Sequence, residues 1–338
     1  MFVIGIDPHR GSHTAAVLDG TEELVDEFWV VADRRQRQRL LEWAAPFSPR
    51  VWAVEGATGT GALLAQQLVA AGEHVLDVPP TLSARVRLLD SGRSDKTDSD
   101  DARAAAVVAL RHRSLRPVRV EDRVAVLRVL AKRHHDLVAA RTRAVCRLHT
   151  TLCHLAEGRF PKRMTASQGS AILARVRPTD LVSVERKALA RDLLAEIRRV
   201  DRDLADLVKR IGAAVAASGT TVTDVFGVGP VVAAYLIGHT GDIARFPSAG
   251  HYARYNGTAP IEASSGPTKR HRLNPRGNRL LNHALHMAAV TQVRNDTPGR
   301  AYYLRKQTEG HSRKEAMRAL KRRISDAVYR QLLADSHR

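Results

Sequence analysis

Two apolar runs in the first third of the chain each end on a carboxylate. Phe2-Val3-Ile4-Gly5-Ile6 runs into Asp7, and Val51-Trp52-Ala53-Val54 runs into Glu55. A charge at the last position of a buried strand is costly unless something pairs with it. A further acidic stretch, Lys96-Thr97-Asp98-Ser99-Asp100-Asp101-Ala102, opens a long Ala-rich segment of helical character. Its Asp98 and Asp101 are spaced i, i+3 and share one helix face. Singly, each carboxylate suits a solvated surface, and Asp98 suits a helix N-cap. Brought together, four such groups repel one another, and divalent cations are the usual remedy. Asp7, Glu55, Asp98 and Asp101 are therefore the candidate metal ligands, in a set suited to two-metal phosphodiester chemistry. Lys96 would neutralise the cluster when no metal is bound.

The order of elements around these residues predicts the fold. Phe2–Asp7, His13–Leu18 and Leu24–Val31 read as three strands separated by the turn signals Pro8-His9-Arg10-Gly11 and Asp19-Gly20. A helix over Arg34–Ala45, a strand over Val51–Glu55, a helix over Gly61–Ala71 and a strand over His74–Val78 follow. Three meandering strands followed by alternating helices and strands is the order of an α/β ribonuclease H-like (RuvC-like) domain, placed at residues 1–115. In that fold the first and fourth strands are parallel neighbours. Asp7 and Glu55 would end them about 5 Å apart.

The 338 residues suffice for two or three cores, and a hydrophobic content of 44% argues against wholesale disorder. The net charge of +19 points to a polyanionic partner. It is unevenly divided. Residues 1–100 hold 10 Lys/Arg against 15 Asp/Glu, a net of −5, which leaves +24 for the rest. An acidic front and a basic remainder suit an enzyme that grips nucleic acid with one part and cuts with another. Cys146 and Cys153, seven apart on one expected helix face, are too few for a zinc site and too far apart for a disulfide, and read as core thiols. With no signal pattern and no apolar stretch long enough to span a bilayer, a cytoplasmic, nucleoid-associated protein is expected.

Residues 116–220 switch to heptad spacing. Leu127, Leu130, His134, Leu137, Arg141, Val145, Leu148 and Leu152 form one series, and Leu193, Ile197, Val200, Leu204, Leu207 and Ile211 a second. Two helices around a breaker-rich stretch, Gly158 to Pro178, predict an antiparallel coiled-coil arm. His134 and Arg141 would weaken its seam or mark a partner surface. Residues 221–338 form a third, mainly α-helical part. There Phe226-Gly227-Val228-Gly229-Pro230 resembles the turn of a helix-hairpin-helix element, with Gly227 and Gly229 offering backbone N–H groups to phosphate. Residues 266–323 carry 15 Lys/Arg against 3 Asp/Glu. Lys269, Arg270, Arg272, Arg276 and Arg279 are the candidate phosphate contacts. Ser264-Ser265-Gly266 beside that charge is either a plain turn or a nucleophile whose phosphate these cations would hold.

In order, Gly5-Ile6-Asp7, Glu55-Gly56-Ala57-Thr58-Gly59, Lys96 to Ala102, Gly227-Val228-Gly229 and Ser265-Gly266…Gly277-Asn278-Arg279-Leu280-Leu281 resemble the DEDD transposases of bridge-RNA-guided insertion sequences, relatives of the Piv/MooV invertases. The likeness covers nearly the whole chain. It implies a DNA transposase whose Asp7, Glu55, Asp98 and Asp101 hold Mg²⁺, two ions per site, with Mn²⁺ as an alternative. Ser265 would be the serine that joins covalently to the cleaved DNA end, with Ser264 the neighbouring candidate. The resemblance also implies a tetramer, a structured guide RNA that pairs with donor and target DNA, and strand exchange through a junction intermediate. Asn256-Gly257-Thr258-Ala259-Pro260 departs from the more usual Ala-Gly-Leu-x-Pro.

Three other readings use the same residues. A RuvC-like Holliday-junction nuclease would keep the carboxylates, hydrolyse DNA with metal-bound water and use no serine, and a DNA invertase would work without an RNA guide. An actin-like ATP-binding protein shares Gly-Ile-Asp on its first strand, but no second phosphate-binding Asp-Gly motif follows. A non-catalytic nucleic-acid binder would not need the intact quartet.

Overall fold

The computed structural model describes residues 1–91, 97–161, 163–262, 271–272, 274 and 277–337. The chain forms two compact units, Met1–Glu121 and Asp122–Arg338. In the first, β1 (Phe2–Pro8), β2 (Ser12–Leu18) and β3 (Leu24–Val31) form an antiparallel meander. Helix α1 (Gln36–Trp43), β4 (Arg50–Glu55), α2 (Ala62–Ala70), β5 (Val75–Val78), α3 (Pro80–Ser91), α4 (Asp98–Arg111) and the short β6 (Arg116–Pro117) follow. The sheet order is β3-β2-β1-β4-β5-β6. β4 runs parallel to β1, with Ile6 opposite Val54. That is the ribonuclease H-like topology expected from the order of elements. Helix α3 was not foreseen, because Pro80 opens it without a side-chain cap signal in the sequence.

β1 and β2 are central and covered on both faces, so they read as continuous apolar runs rather than alternating ones. Ile4, Ile6, Val17, Trp52 and Val54 pack on one side with Leu40 of α1 and Leu64 and Leu68 of α2. Val3, Ala53 and Val78 pack on the other side with Ala105 and Val108 of α4. Thr97 caps α4 by accepting a hydrogen bond from the Asp100 amide at 3.1 Å. Asp98 is thus the first helical residue rather than the cap. Three carboxylates in the first turn also suit the positive end of the helix dipole.

The second unit opens with α5 (Arg123–Cys153), α6 (Ala166–Arg175) and α7 (Leu181–Ala217). α5 and α7 pack antiparallel: Arg123 donates to the Ala217 carbonyl, Arg141 pairs with Asp201, and Leu148 and Leu152 meet Leu193 and Ile197. The polar heptad positions are satisfied within the unit. Arg141 Nε lies 2.5 Å from Asp201 Oδ1, and His134 Nδ1 lies 3.1 Å from Tyr235 Oη. Helix α6 occupies the stretch expected to be broken, because Thr165 and Gln168 form a capping box and Gly169 lets it approach Leu148 and Leu194. Cys146 and Cys153 are exposed free thiols, not core thiols.

After α7 come α8 (Pro230–Thr240), α9 (Ala249–Tyr255), β7 (Ile261–Glu262), β8 (His271–Arg272), α10 (Arg279–Arg294), α11 (Pro298–Thr308) and α12 (Arg313–Asp335). Leu127 and Leu137 of α5 and Ile211 of α7 share one core with Leu236, Leu285 and Ile324 of the later helices. Among the described residues no helix is long and apolar enough to cross a membrane.

Candidate active site

Alternation along β1 places Val3, Gly5 and Asp7 on the face covered by α4. Gly5 is what allows that helix to come close. A Cβ there would fall 1.9 Å from the Ala102 carbonyl oxygen and 2.7 Å from the Ala106 amide nitrogen. The small residues Ala102, Ala105 and Ala106 line the opposing face and are fully buried. One turn before Ala102 the same helix face presents Asp98, which is thereby brought to the end of β1.

Asp7 is 6% exposed at the close of its strand. The His9 ring stands between it and α4, with Nδ1 3.5 Å from Asp7 Oδ2 and Nε2 3.8 Å from Asp98 Oδ1. Asp7, His9 and Asp98 each offer one ligand atom, and these atoms lie within 4.8 Å of one another. Burial is graded, from Asp7 at the floor to the exposed Asp98 at the rim. Glu55 closes β4 one residue after the Ile6–Val54 pair, so it stands beside Asp7 on the neighbouring strand. Its Oε2 is buried with no hydrogen-bond partner among the described residues.

Asp101 is 2% exposed and ion-paired with Arg87 of α3. Glu55 and Asp101 therefore flank the Asp7–His9–Asp98 group rather than join it. Lys96 lies outside the described residues; Arg87 is a cation paired with the flanking Asp101. Sequence reasoning missed both His9 and Arg87. His9 had a usable signal, because position i+2 from Asp7 shares its face of an extended strand. Arg87 had none, since the helix that carries it was not expected.

A divalent cation fits this donor set. Two converging carboxylates, an imidazole and an orphaned buried carboxylate oxygen beside them are expensive without a positive partner.

In the second unit, Ser264, Ser265, Lys269, Arg270 and Arg276 lie outside the described residues, as does the side chain of Arg272 in β8. What brackets them is described. A Cβ on Gly277 would fall 2.4 Å from Gly257 Cα, so the two chain segments on either side of Ser265 touch backbone to backbone. The buried Asn256 donates to Ser325 Oγ at 2.8 Å, and its carbonyl accepts from Asn282 Nδ2 at 3.0 Å. Asn278 caps α10, whose first residue is the exposed Arg279. Gly227 has φ +88° and lies against the backbone of Ala288, where a Cβ would meet the carbonyl oxygen at 2.7 Å. Close packing thus accounts for that glycine. Gly229 caps α8 with open space beside it.

An acidic group at the ends of β1 and β4, under a crossing helix, on a sheet of order 3-2-1-4-5-6, defines a domain of the ribonuclease H-like nuclease class. Comparison with known proteins carries this further. A family model described as an IS110 DEDD transposase matches residues 4–156, and one described as a transposase of the IS116/IS110/IS902 family matches residues 219–304. The chain is 29% identical over 380 positions to the 44.8 kDa protein of insertion element IS116 from Streptomyces clavuligerus, covering 97% of this chain and 94% of that protein. It is 26% identical over 378 positions to the 42 kDa protein of insertion element IS900 from Mycobacterium paratuberculosis, with the same coverage. Among solved structures, RuvC of T. thermophilus in complex with a Holliday junction substrate aligns at 20% identity with a TM-score of 0.28, covering 35% of this chain and 99% of that one. The chain belongs to the IS110/IS116 family of DEDD transposases.

Proposed function

We propose that this transposase is an RNA-guided DNA recombinase of a mobile element, in which Asp7, Glu55, Asp98 and Asp101 hold divalent metal and Ser265 attacks the DNA. The observation that carries the metal half is the meeting of Asp7 and Asp98 around His9, with Glu55 on the adjoining strand. Mg²⁺, two ions per site, is the expected cation, and the His9 imidazole makes Mn²⁺ an effective substitute. Bound there, the cation supplies charge neutralisation at the non-bridging phosphate oxygens. Asp7 and Glu55 are fixed by the sheet and Asp98 by the helix, so their oxygens need little reorganisation to bind it.

Ser265 Oγ would form a bond to phosphorus as the bond to the leaving deoxyribose oxygen breaks, and the serine proton ends on that oxygen. One phosphate ester replaces another, so the linkage can later be passed to an incoming hydroxyl without an outside energy source. The basic residues around the serine, Lys269, Arg270, Arg272, Arg276 and Arg279, would hold the flanking backbone, and the turn at Gly227–Gly229, read as a helix-hairpin-helix element, would add amide contacts. The α5–α7 pair would act as a coiled-coil arm in a tetramer. Apolar side chains left exposed on it, among them Val126 and Val129 of α5 and Val182 and Leu189 of α7, support an assembly role. The guide would be a structured RNA, for which the +24 outside the first hundred residues gives the electrostatic capacity.

The test is a covalent-adduct assay with labelled element-end DNA and its co-purifying RNA. The expected result is a protein–DNA adduct that forms with Mg²⁺, is retained by Ser264→Ala and is absent from Ser265→Ala and Asp7→Asn. An adduct that survives Ser265→Ala rules out that serine. Cleavage with no adduct in any variant means a junction nuclease instead. Sequencing of the co-purified RNA yields one structured species if a guide exists, and random host fragments if none does.

A further inference from the structure

Lys321 in α12 is only 7% exposed, yet no carboxylate among the described residues lies within 4.0 Å of its ammonium group. Its Nζ donates to Asn282 Oδ1 at 2.7 Å, an uncharged acceptor that uses one of three available protons. Burying an ammonium without a counter-charge is costly, and a fold that needed only packing at this position would carry methionine or leucine. Burial, then Arg279 and Arg318, also hold its pKa below the ordinary lysine value.

The buried group opens onto a cleft of about 440 Å³ between α10, α11 and α12. Arg313, Lys314 and Arg318 line it together with Lys321, so four formal positive charges share one concavity. His286 of α10 completes the polar side, while Tyr303 of α11 and Met317 of α12 give it an apolar wall. Glu315 lies 4.0 Å from Arg318 and is also engaged in capping α12 through Ser312. Cations around an apolar, aromatic wall are the combination by which proteins hold a nucleic-acid strand, with phosphate on the charges and base on the ring.

We infer that this cleft is a binding site for a DNA backbone phosphate and its attached nucleotide, with Lys321 as the buried donor to the phosphate. The inference rests on the recombinase reading for the choice of DNA. Position supports it as well. Asn282, which accepts from Lys321, donates through its other amide atom to the Asn256 carbonyl, at the foot of the chain segment that carries Ser265. A phosphate drawn to Lys321 is therefore held on the same hydrogen-bonded framework that anchors the nucleophile's segment. The same framework leaves two ammonium protons for the ligand.

The experiment measures binding of a fluorescein-labelled DNA duplex by the full-length protein as a function of salt, alongside thermal unfolding. Lys321→Met should weaken DNA binding about tenfold and lower the slope of log affinity against log salt by about one. Its Tm should stay level or rise, because an uncompensated buried charge has gone. Lys314→Ala and Arg313→Ala, both exposed and harmless to the fold, should each weaken binding severalfold and keep the test decisive if Lys321→Met unfolds. Wild-type DNA affinity in a folded Lys321→Met, or a loss seen only with RNA of the same sequence, overturns the site. The adduct assay separates this from the wider reading. No adduct in the wild type with a binding defect in Lys321→Met removes the serine chemistry and keeps the cleft. A wild-type adduct with undiminished binding by Lys321→Met does the reverse.

Discussion

Ala102 of α4 and Gly5 of β1 are in backbone contact, closer than any side chain would permit: a Cβ on Gly5 would sit 1.9 Å from the Ala102 carbonyl oxygen. This contact sets the height of α4 above the sheet, and so the distance from Asp98 to Asp7. Gly5→Ala is expected to push the helix away. Overpacking of this kind costs about 1–3 kcal/mol or more, readable as a lower Tm. Metal-dependent cleavage should fall further than the stability loss explains, because the carboxylates separate. Unchanged cleavage in a destabilised Gly5→Ala would mean that α4 height does not set the site.

His9 tests the metal site by a thermodynamic route that does not depend on turnover. A ligand that binds only the folded state raises stability by RT ln(1 + [L]/Kd), about 2.7 kcal/mol at a hundredfold excess over Kd. Mn²⁺ should therefore raise the Tm of the wild type and have no effect on Asp7→Asn. His9→Gln should retain part of the Mg²⁺ shift and lose more of the Mn²⁺ shift, since imidazole favours the softer ion. Equal losses for both ions would place His9 outside the ligand set.

Asp7 and Glu55 were legible in the sequence because a strand is a short-range object: an apolar run, a terminal carboxylate and the order of neighbouring elements suffice. Asp98 and Asp101 were legible as a helical pair for the same reason. What the sequence could not show is how the pair divides, with Asp98 turned toward His9 and Asp101 turned toward Arg87. That depends on α3, a helix with no cap signal, and on the depth to which Gly5 admits α4. The long helices were visible from their heptads, but the partners of His134 and Arg141 were not. Both lie far away along the chain, at Tyr235 and Asp201. Lys321 looked like one more basic residue in a basic segment; only packing reveals that it is buried.

The Arg87–Asp101 pair makes a separate prediction. Removing one partner of a buried ion pair costs roughly 3–5 kcal/mol, whereas a solvent-screened surface pair such as Arg39–Asp33 contributes little. Arg87→Met should accordingly lower stability far more than Arg39→Ala in the absence of metal. If Asp101 is a metal ligand, Mn²⁺ supplies the missing positive charge and the Tm shift on adding it exceeds that of the wild type. A shift no larger than the wild type's would leave Asp101 a structural partner of Arg87 alone.

His239 gives the second unit a defined response to acid. Its Nε2 is buried with no hydrogen-bond partner among the described residues, and burial, then Arg128 and His135, hold its pKa below the ordinary histidine value of 6.5. His134 is displaced the same way, chiefly by burial and then by His135. With the folded pKa below the unfolded one, the native state binds fewer protons, so stability rises with pH. The contribution is complete above about 6.5 and is lost as pH falls below it toward the folded value. Thermal melts should therefore show a plateau from pH 7 to 8 and a falling Tm toward pH 5. His239→Gln, which cannot take up the proton, should flatten the part of that slope due to His239 while shifting the plateau only slightly. A slope in His239→Gln as steep as in the wild type would assign the acid response to other groups, His134 first among them.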